Sequence, residues 1–261
     1  MGHAVSRYRH PEATALVMAA GQGTRMESDL AKVLHPMAGQ PLLAHVLASL
    51  DRLGVGRTLV VVGHQADRVR AIFAAAGAEW VLQAQQRGTG HAVLMAGPAL
   101  QDFGGTLLVV SGDTPLLRAS TLDALLARHR ESGASVTVLS AKVPDPKGYG
   151  RIVRDAEGRV TGIVEERDAT DEQRRVDEIN SGTYAFEYRD LAPALGRLTS
   201  RNSQGEYYLT DTVRLLLEGG RTADAWCGPD YRELLGINTL AQLREAEQIH
   251  AQLVRSGEAG S

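Results

Sequence analysis

Hydrophobic and polar positions along the chain fall into two alternating textures. Short apolar runs occur at "TALVM" (14–18), "RTLVVVG" (57–63), "WVLQ" (80–83), "TLLVVSGD" (106–113) and "SVTVLSAKV" (135–143). Between them lie segments whose apolar residues recur three and four positions apart: "PLLAHVLASLDRLG" (41–54), "ADRVRAIFAAAG" (66–77), "GHAVLMAGPAL" (90–100) and "STLDALLARHRESG" (120–133). The first texture predicts strands and the second helices. The runs at 14–18, 57–63 and 106–113 are nearly continuous in Val and Leu, as in a sheet covered on both faces. Strand-helix alternation predicts right-handed crossovers and an α/β fold, a doubly wound, Rossmann-like, mostly parallel sheet.

After residue 143 the pattern changes. "GRIVRDAEGRVTGIVEE" (150–166) reads as a hairpin around a Glu-Gly turn, and "EINSGTYAFE" (178–187) as a further strand. Helices are predicted near 188–198 and 209–219, then a strand at "TADAWC" (222–227). Leu240, Leu243, Ala246, Ile249 and Leu253 mark one face of a final helix. The expected organisation is a flexible tail over 1–13, one domain over 14–237 and a C-terminal helix and tail over 238–261. The domain's second part, 144–237, is expected as a lobe beside the sheet formed by 14–143.

Composition narrows the function classes. The chain has 261 residues, 43% hydrophobic and 23% charged, with a formal net charge of −3. That balance argues against nucleic-acid and membrane-surface partners. A single cysteine, Cys227, excludes an internal disulfide and a cysteine-rich metal site. It is expected as a small core filler and fits a reducing, cytoplasmic setting. No apolar run reaches the ~18 residues that span a bilayer. "MGHAVS" fits the loose acylation pattern M-G-x-x-x-[ST], taken here as coincidence within a frayed tail.

The candidate chemistry starts at "LVMAAGQGTRM" (16–26), where a buried strand gives way to glycines and an arginine. Ligands of doubly wound sheets bind beyond the carboxyl ends of the strands, where this loop is predicted to lie. Glycines allow close backbone approach, and successive N–H groups can cradle an anion. Arg25 adds a planar fork and Lys32 a second cation, so the loop reads as a polyphosphate cradle. A plain glycine turn with solvated cations is the alternative. A dinucleotide fingerprint is excluded because Met26 holds the place of its third glycine, and no G-K-[ST] ends the loop as in a P-loop.

G-x-G-T-R-M-x5-K, from Gly21 to Lys32, resembles the signature of the sugar-nucleotidyltransferases (nucleotide-sugar pyrophosphorylases). Further motifs follow in the same order: "VLQAQQRGTGHA" (81–92), "SGDTPL" (111–116), "GYGRI" (148–152), "GIVEE" (162–166), "EINSGTY" (178–184), "QGEYYLTD" (204–211) and "GIN" (236–238). Together, over about residues 14–250, they resemble the uridylyltransferase domain of bacterial bifunctional N-acetylglucosamine-1-phosphate uridylyltransferases. The resemblance implies joining of UTP to a sugar 1-phosphate, with release of pyrophosphate and assistance from Mg2+, on the way to cell-wall precursors.

It also implies residue roles. The backbone of Ala19, Ala20, Gly21 and Gly23 would lie along the nucleotide, while Gln83 and Gly88, with Thr89 beside them, would read the uracil edge. An amide presents a donor and an acceptor at once, which suits an imide. Arg25, Lys32 and Asp113 would serve catalysis. Asp113 and Asn238 would hold the metal, although each could instead be a helix cap. Gly150, Glu165, Asn180 and Thr210, with Tyr208 nearby, would contact the sugar. Ser111 departs from the tyrosine that some of these enzymes carry. His35 and His91, beside the motifs, are expected to be structural.

The sugar phosphate is its own nucleophile, so a single in-line displacement without a general base is expected. The bifunctional enzymes continue into a β-helix of hexapeptide repeats that carries acetyl transfer and trimer assembly. No such repeats occur here, so neither acetyl transfer nor a trimer is expected, and a monomer is favoured. A nucleotidyltransferase for another sugar phosphate, or a non-catalytic nucleotide-sugar binding module, are the rival readings.

Overall fold

The computed structural model describes residues 8–26 and 28–256. The strands are β1 (His10–Ala19), β2 (Pro36–Met37), β3 (Gln40–Pro41), β4 (Val55–Val62), β5 (Glu79–Leu82), β6 (Thr106–Ser111), β7 (Val136–Lys142), β8 (Arg151–Arg154), β9 (Val160–Val164), β10 (Glu178–Glu187) and β11 (Ala223–Cys227). The helices are α1 (Leu42–Leu53), α2 (Ala66–Ile72), α3 (Thr89–Met95), α4 (Ala119–Ser132), α5 (Asp171–Arg174), α6 (Tyr188–Leu195), α7 (Asp211–Glu218) and α8 (Leu240–Ser256). Among the described residues the main sheet has nine strands, ordered β11-β7-β10-β6-β1-β4-β5, with the β8–β9 hairpin branching from β10.

The apolar runs alternate across this sheet with period two. Ala15, Val17, Val60, Val62, Leu108 and Val110 face one core layer, which α1 and α4 cover. Leu16, Leu59, Val61, Leu107 and Val109 face the other, which α3, α6 and α7 cover. Both layers are dry, which is why these strands are apolar at nearly every position. Gly54 ends α1 in the left-handed region (φ 70°), its N–H bonded to the carbonyls of Leu50 and Asp51.

Four features differ from expectation. Strand β10 does not lie in a lobe beside the sheet; it is inserted between β6 and β7 and runs antiparallel to both. Ile179 and Ala185 pack into one core layer, Tyr184 and Phe186 into the other. A strand apolar on both faces needs cover on both, which the sheet interior provides. Strand β11 also joins the main sheet, parallel to β7. Strand β1 begins at His10, so 8–13 are not tail; His10 is buried and pairs with Asp123 at 2.8 Å. Residues 1–7, with the acylation pattern, and 257–261 lie outside the described residues. Cys227 is exposed rather than a core filler, because it ends an edge strand.

The final helix packs through a small cluster of Met26, Met37, Leu42, Leu116, Ile237, Leu243 and Ala246. Met26, fully buried, thus fastens the end of the glycine loop to the segment leading into α8. A second fastening lies in the turn Tyr231–Leu234, where Glu233 is 2% exposed. Its carboxylate accepts from Arg118 Nε and Nη2 at 3.1 Å and from the Thr121 hydroxyl at 2.8 Å. Removing Glu233 strips the guanidinium of a two-pronged carboxylate and the Thr121 hydroxyl of its acceptor. Glu233→Ala is therefore expected to lower stability by about 3 kcal/mol. Urea unfolding checks this as a fall in midpoint at unchanged slope.

Candidate active site

Strands β1, β4 and β6 are parallel and end on the same edge of the sheet, at Ala19, Val62 and Ser111. The loops that follow β1, β6 and the neighbouring parallel strand β5 line a cavity of about 480 Å3. Ala19, Ala20, Gly21, Gly23, Gln83, Gly88 and Thr89 all line it, as do Lys32 and Asp113. Every expected nucleotide residue is therefore at one place.

The glycines there answer to different constraints. Gly23 has φ 70°, and a Cβ on it would stand 2.6 Å from Lys32 Cβ, so glycine is what lets Lys32 close on the loop. Gly88 has φ 104°, and its Cβ would meet the Tyr207 carbonyl at 2.6 Å. Here 85–90 and 206–209 are zipped together: Gly90 N–H donates to Tyr207 O, and Tyr207 N–H to Arg87 O, both at 2.8 Å, and Leu209 N–H to the Thr89 hydroxyl at 3.1 Å. A Cβ on Gly21 would meet nothing within 4 Å. Protein packing does not demand that glycine, which leaves its backbone approachable from the cavity.

Lys32, Asp113 and Asn238 converge although they come from distant parts of the chain. Lys32 Nζ donates to Asp113 Oδ2 in a short contact and to Asn238 Oδ1 at 3.1 Å. Arg25 Nη2 donates to the same Asn238 oxygen at 3.0 Å. Arg25 is exposed and stands outside the cavity lining. Neither Asp113 nor Asn238 spends its side chain on a helix cap. Helix α4 starts only at Ala119, and the Thr239 hydroxyl accepts from Gln242 N–H at the start of α8. The segment just before Lys32 is held by Gln65, which donates to Asp29 O at 2.6 Å and accepts from Ala31 N–H at 3.2 Å, from a left-handed backbone (φ 52°).

The expected sugar residues form a second group. A Cβ on Gly150 would face Glu165 Oε2 at 3.5 Å and Asn180 Cβ at 3.6 Å. Glu165 Oε1 accepts from the Thr210 hydroxyl at 2.9 Å. Asn180 sits at the bulge of β10, where its amide donates to Tyr184 OH at 2.6 Å and accepts from Gly182 N–H at 3.0 Å. Tyr208 stands slightly apart, donating to Asp168 Oδ2 at 3.1 Å. Glu165, Tyr208 and Thr210 line a neighbouring cavity of about 440 Å3.

Residues 15–206 match the model of the MobA-like NTP transferase domain. The chain belongs to this NTP transferase family. It is 48% identical over 235 residues to the "Bifunctional protein GlmU" of Geobacillus thermodenitrificans, an alignment covering 90% of this chain and 51% of that protein. It is 50% identical over 256 residues to the protein of the same name from Thermobifida fusca, covering 94% and 53% respectively. The chain thus spans about half the length of the curated relatives it matches. Its fold is also that of a UDP-glucose pyrophosphorylase solved with UDP-glucose, at 18% identity and a TM-score of 0.74, covering 92% of this chain and 98% of that one.

Among the groups around the site with shifted proton affinities, Tyr149 and Glu165 bear on its chemistry. The Tyr149 hydroxyl, next to Gly150, is pushed up by burial and then by the charges of Asp113 and Glu245, which Arg25 opposes. Tyr149 thus stands within electrostatic reach of Asp113 while adjoining Gly150 in the chain; its place inside "GYGRI" was the available signal. Burial pushes the Glu165 carboxyl up; the Thr210 hydroxyl opposes this, and the charges of Asp168, Asp211 and Glu206 add to it. The folded state thus holds the Glu165 proton more tightly than the unfolded chain. Its contribution to stability is complete below the ordinary value of 4.5 and is lost as pH rises through the raised folded value. Glu165→Gln is expected to raise the melting temperature at neutral pH and to flatten this part of the profile. Calorimetry across that range checks it.

Proposed function

We propose that the chain transfers the uridylyl group of UTP to N-acetylglucosamine 1-phosphate, giving UDP-N-acetylglucosamine and pyrophosphate. The observation that carries this reading is the convergence of Lys32, Asp113 and Asn238 at the wall of a cavity lined by the glycine loop. Family membership and the GlmU relatives support it, as does the motif series that resembles uridylyltransferase domains.

The chemistry follows from charge. A sugar phosphate with a second pKa of about 6 is a dianion at pH 7 and attacks without a general base. Its approach to a triphosphate is resisted by like-charge terms of about 4 kcal/mol each at 4 Å and an effective dielectric near 20. Lys32 lines the cavity and Arg25 lies one hydrogen bond away from Asn238, so both are placed to offset them. The glycine loop lets the triphosphate lie against backbone, and the displacement at the α-phosphorus is governed by positioning and charge stabilisation. Pyrophosphate leaves toward the loop and Arg25.

Asp113 and Asn238 fit a magnesium ion. Their oxygens already draw together on one ammonium, and a carboxylate with an amide oxygen is a hard donor set. Among the described residues no group of three or more His, Cys, Asp or Glu could hold a metal by itself. Further ligands to such an ion would be phosphate oxygens and water. When bound, the ion would neutralise phosphate charge and polarise the reacting phosphoryl group. On the sugar side, Gly150 leaves room, Glu165 accepts from hydroxyls, and Asn180 with Thr210 frames the pocket beside Tyr208.

Pyrophosphate release across a grid of nucleoside triphosphates and sugar 1-phosphates, with magnesium, tests the assignment. Release is expected with UTP and N-acetylglucosamine 1-phosphate. Release with glucose 1-phosphate alone would move the substrate to another sugar, a possibility kept open by Ser111 on the cavity wall. Silence in every well would make the chain a binding module. Lys32→Ala and Asp113→Ala are each expected to lower kcat/KM by about 10³-fold, in the range of lost transition-state charge stabilisation. Folded variants with near-normal turnover would remove these residues from the mechanism.

A further inference from the structure

Gln83 is 3% exposed, yet its side chain lines the nucleotide cavity. Its Nε2 donates to the Gly88 carbonyl at 3.1 Å and lies 2.9 Å from Nδ1 of His91. An amide nitrogen carries two hydrogens and accepts nothing. The second contact is therefore a hydrogen bond only if His91 Nδ1 is bare and the ring is neutral, with its proton on Nε2. Both amide hydrogens are then occupied. What Gln83 offers to the cavity is its carbonyl oxygen alone, a sharper arrangement than an amide presenting both of its faces.

A fixed acceptor discriminates between pyrimidines. The N3–H of uracil donates to it, whereas the bare N3 of cytosine opposes it. We infer that His91 is a positioning residue for base selection: as a neutral acceptor it locks the Gln83 amide so that an imide N–H is chosen over cytosine. This deepens the reading of the cavity as a uridine nucleotide site and rests on it.

The surroundings of His91 keep the ring in the required state. The Tyr207 ring lies against it, with centroids 6.2 Å apart. The Arg87 guanidinium stands over the far part of that assembly, 4.9 Å from the Tyr207 centroid and bonded to its hydroxyl at 3.1 Å. Burial and then the Arg87 charge push the imidazole's proton affinity down, while the Gln85 backbone, in hydrogen-bonding reach, opposes them. Glu206 lines the same cavity, with no resolved influence on the ring. When acid protonates Nδ1 it can no longer accept. The amide then loses one of the two bonds that fix it and keeps only the one to the Gly88 carbonyl, and preference for uracil over cytosine should fall.

The test measures UTP and CTP binding by calorimetry on the full chain, alongside turnover, for the wild type, His91→Phe, His91→Asn and Gln83→Ala. Phenylalanine keeps the packing against Tyr207 without the acceptor; the asparagine carbonyl restores an acceptor near Nδ1 that does not titrate. In His91→Phe the UTP-to-CTP affinity ratio is expected to fall by about tenfold, the worth of one neutral hydrogen bond. The wild-type ratio should decline on acidification below neutrality, and that of His91→Asn should stay level. An unchanged ratio in His91→Phe with a reduced one in Gln83→Ala overturns the role of His91 alone. Unchanged ratios in both overturn the base-site reading and this inference with it. If the phenylalanine variant does not fold, the pH series decides: a level His91→Asn profile beside a sloping wild type supports the assignment, and parallel slopes overturn it. Selective UTP binding without turnover would count against the transfer reaction and leave the His91 assignment standing.

Discussion

One ammonium group organises the cleft. Lys32 Nζ reaches a carboxylate oxygen of Asp113 and the amide oxygen of Asn238, which stand 81 and 206 residues further along the chain. Its neighbours are arranged to allow this. Gly23 removes the Cβ that would collide with the lysine stem, and Gln65 braces the preceding residues. Ile237 N–H bonds the Asp113 carbonyl at 2.9 Å, so the two oxygen donors are also tied through backbone. A cation of fixed position facing two converging oxygens, with a cavity of about 480 Å3 beside it, is what the proposed meeting of phosphates and a metal ion rests on.

Rigid packing surrounds this meeting point. Met26 is sealed in the cluster under α8, so the glycine loop is anchored at its far end while Gly21 stays unencumbered. The backbone zipper between 85–90 and 206–209 joins the strand-helix half to the segment that carries Tyr208 and Thr210. Strand β10 completes the join, because its bulge puts Asn180 beside Gly150 while its later residues fill both core layers. The two halves expected from the sequence contribute strands to one sheet.

Two kinds stand out among the buried polar groups. Glu233 with Arg118 and Thr121, and Glu178 with Arg154 and Ser140, are satisfied pairs that hold elements together. Gln83 and Asn180, with the half-buried Glu165, are also bonded, but they line or adjoin the cavities, and their partners orient them. Such orienting partners matter because a misdirected amide or carboxylate in a dry site loses most of its recognition value.

The alternation of apolar runs and helical patterns was enough to determine an α/β sheet, the places of its first strands and helices, and the position of the glycine loop at a strand end. These are local properties: period, capping glycines and strand-end loops are written in neighbouring residues. The motif order also brought the eventual cavity residues to notice. Other features were decided only in three dimensions. That β10 enters the sheet between β6 and β7, that Cys227 lies at an exposed edge, and that His10 is buried in β1 depend on which distant segment supplies cover. The same holds for Asn238 turning to Lys32 instead of capping α8, and for the contact that leaves Gln83 showing only its carbonyl. Most of these turn on segments far apart in the chain, and even the Gln83–His91 contact, across eight residues, leaves no periodic trace in either partner's neighbourhood.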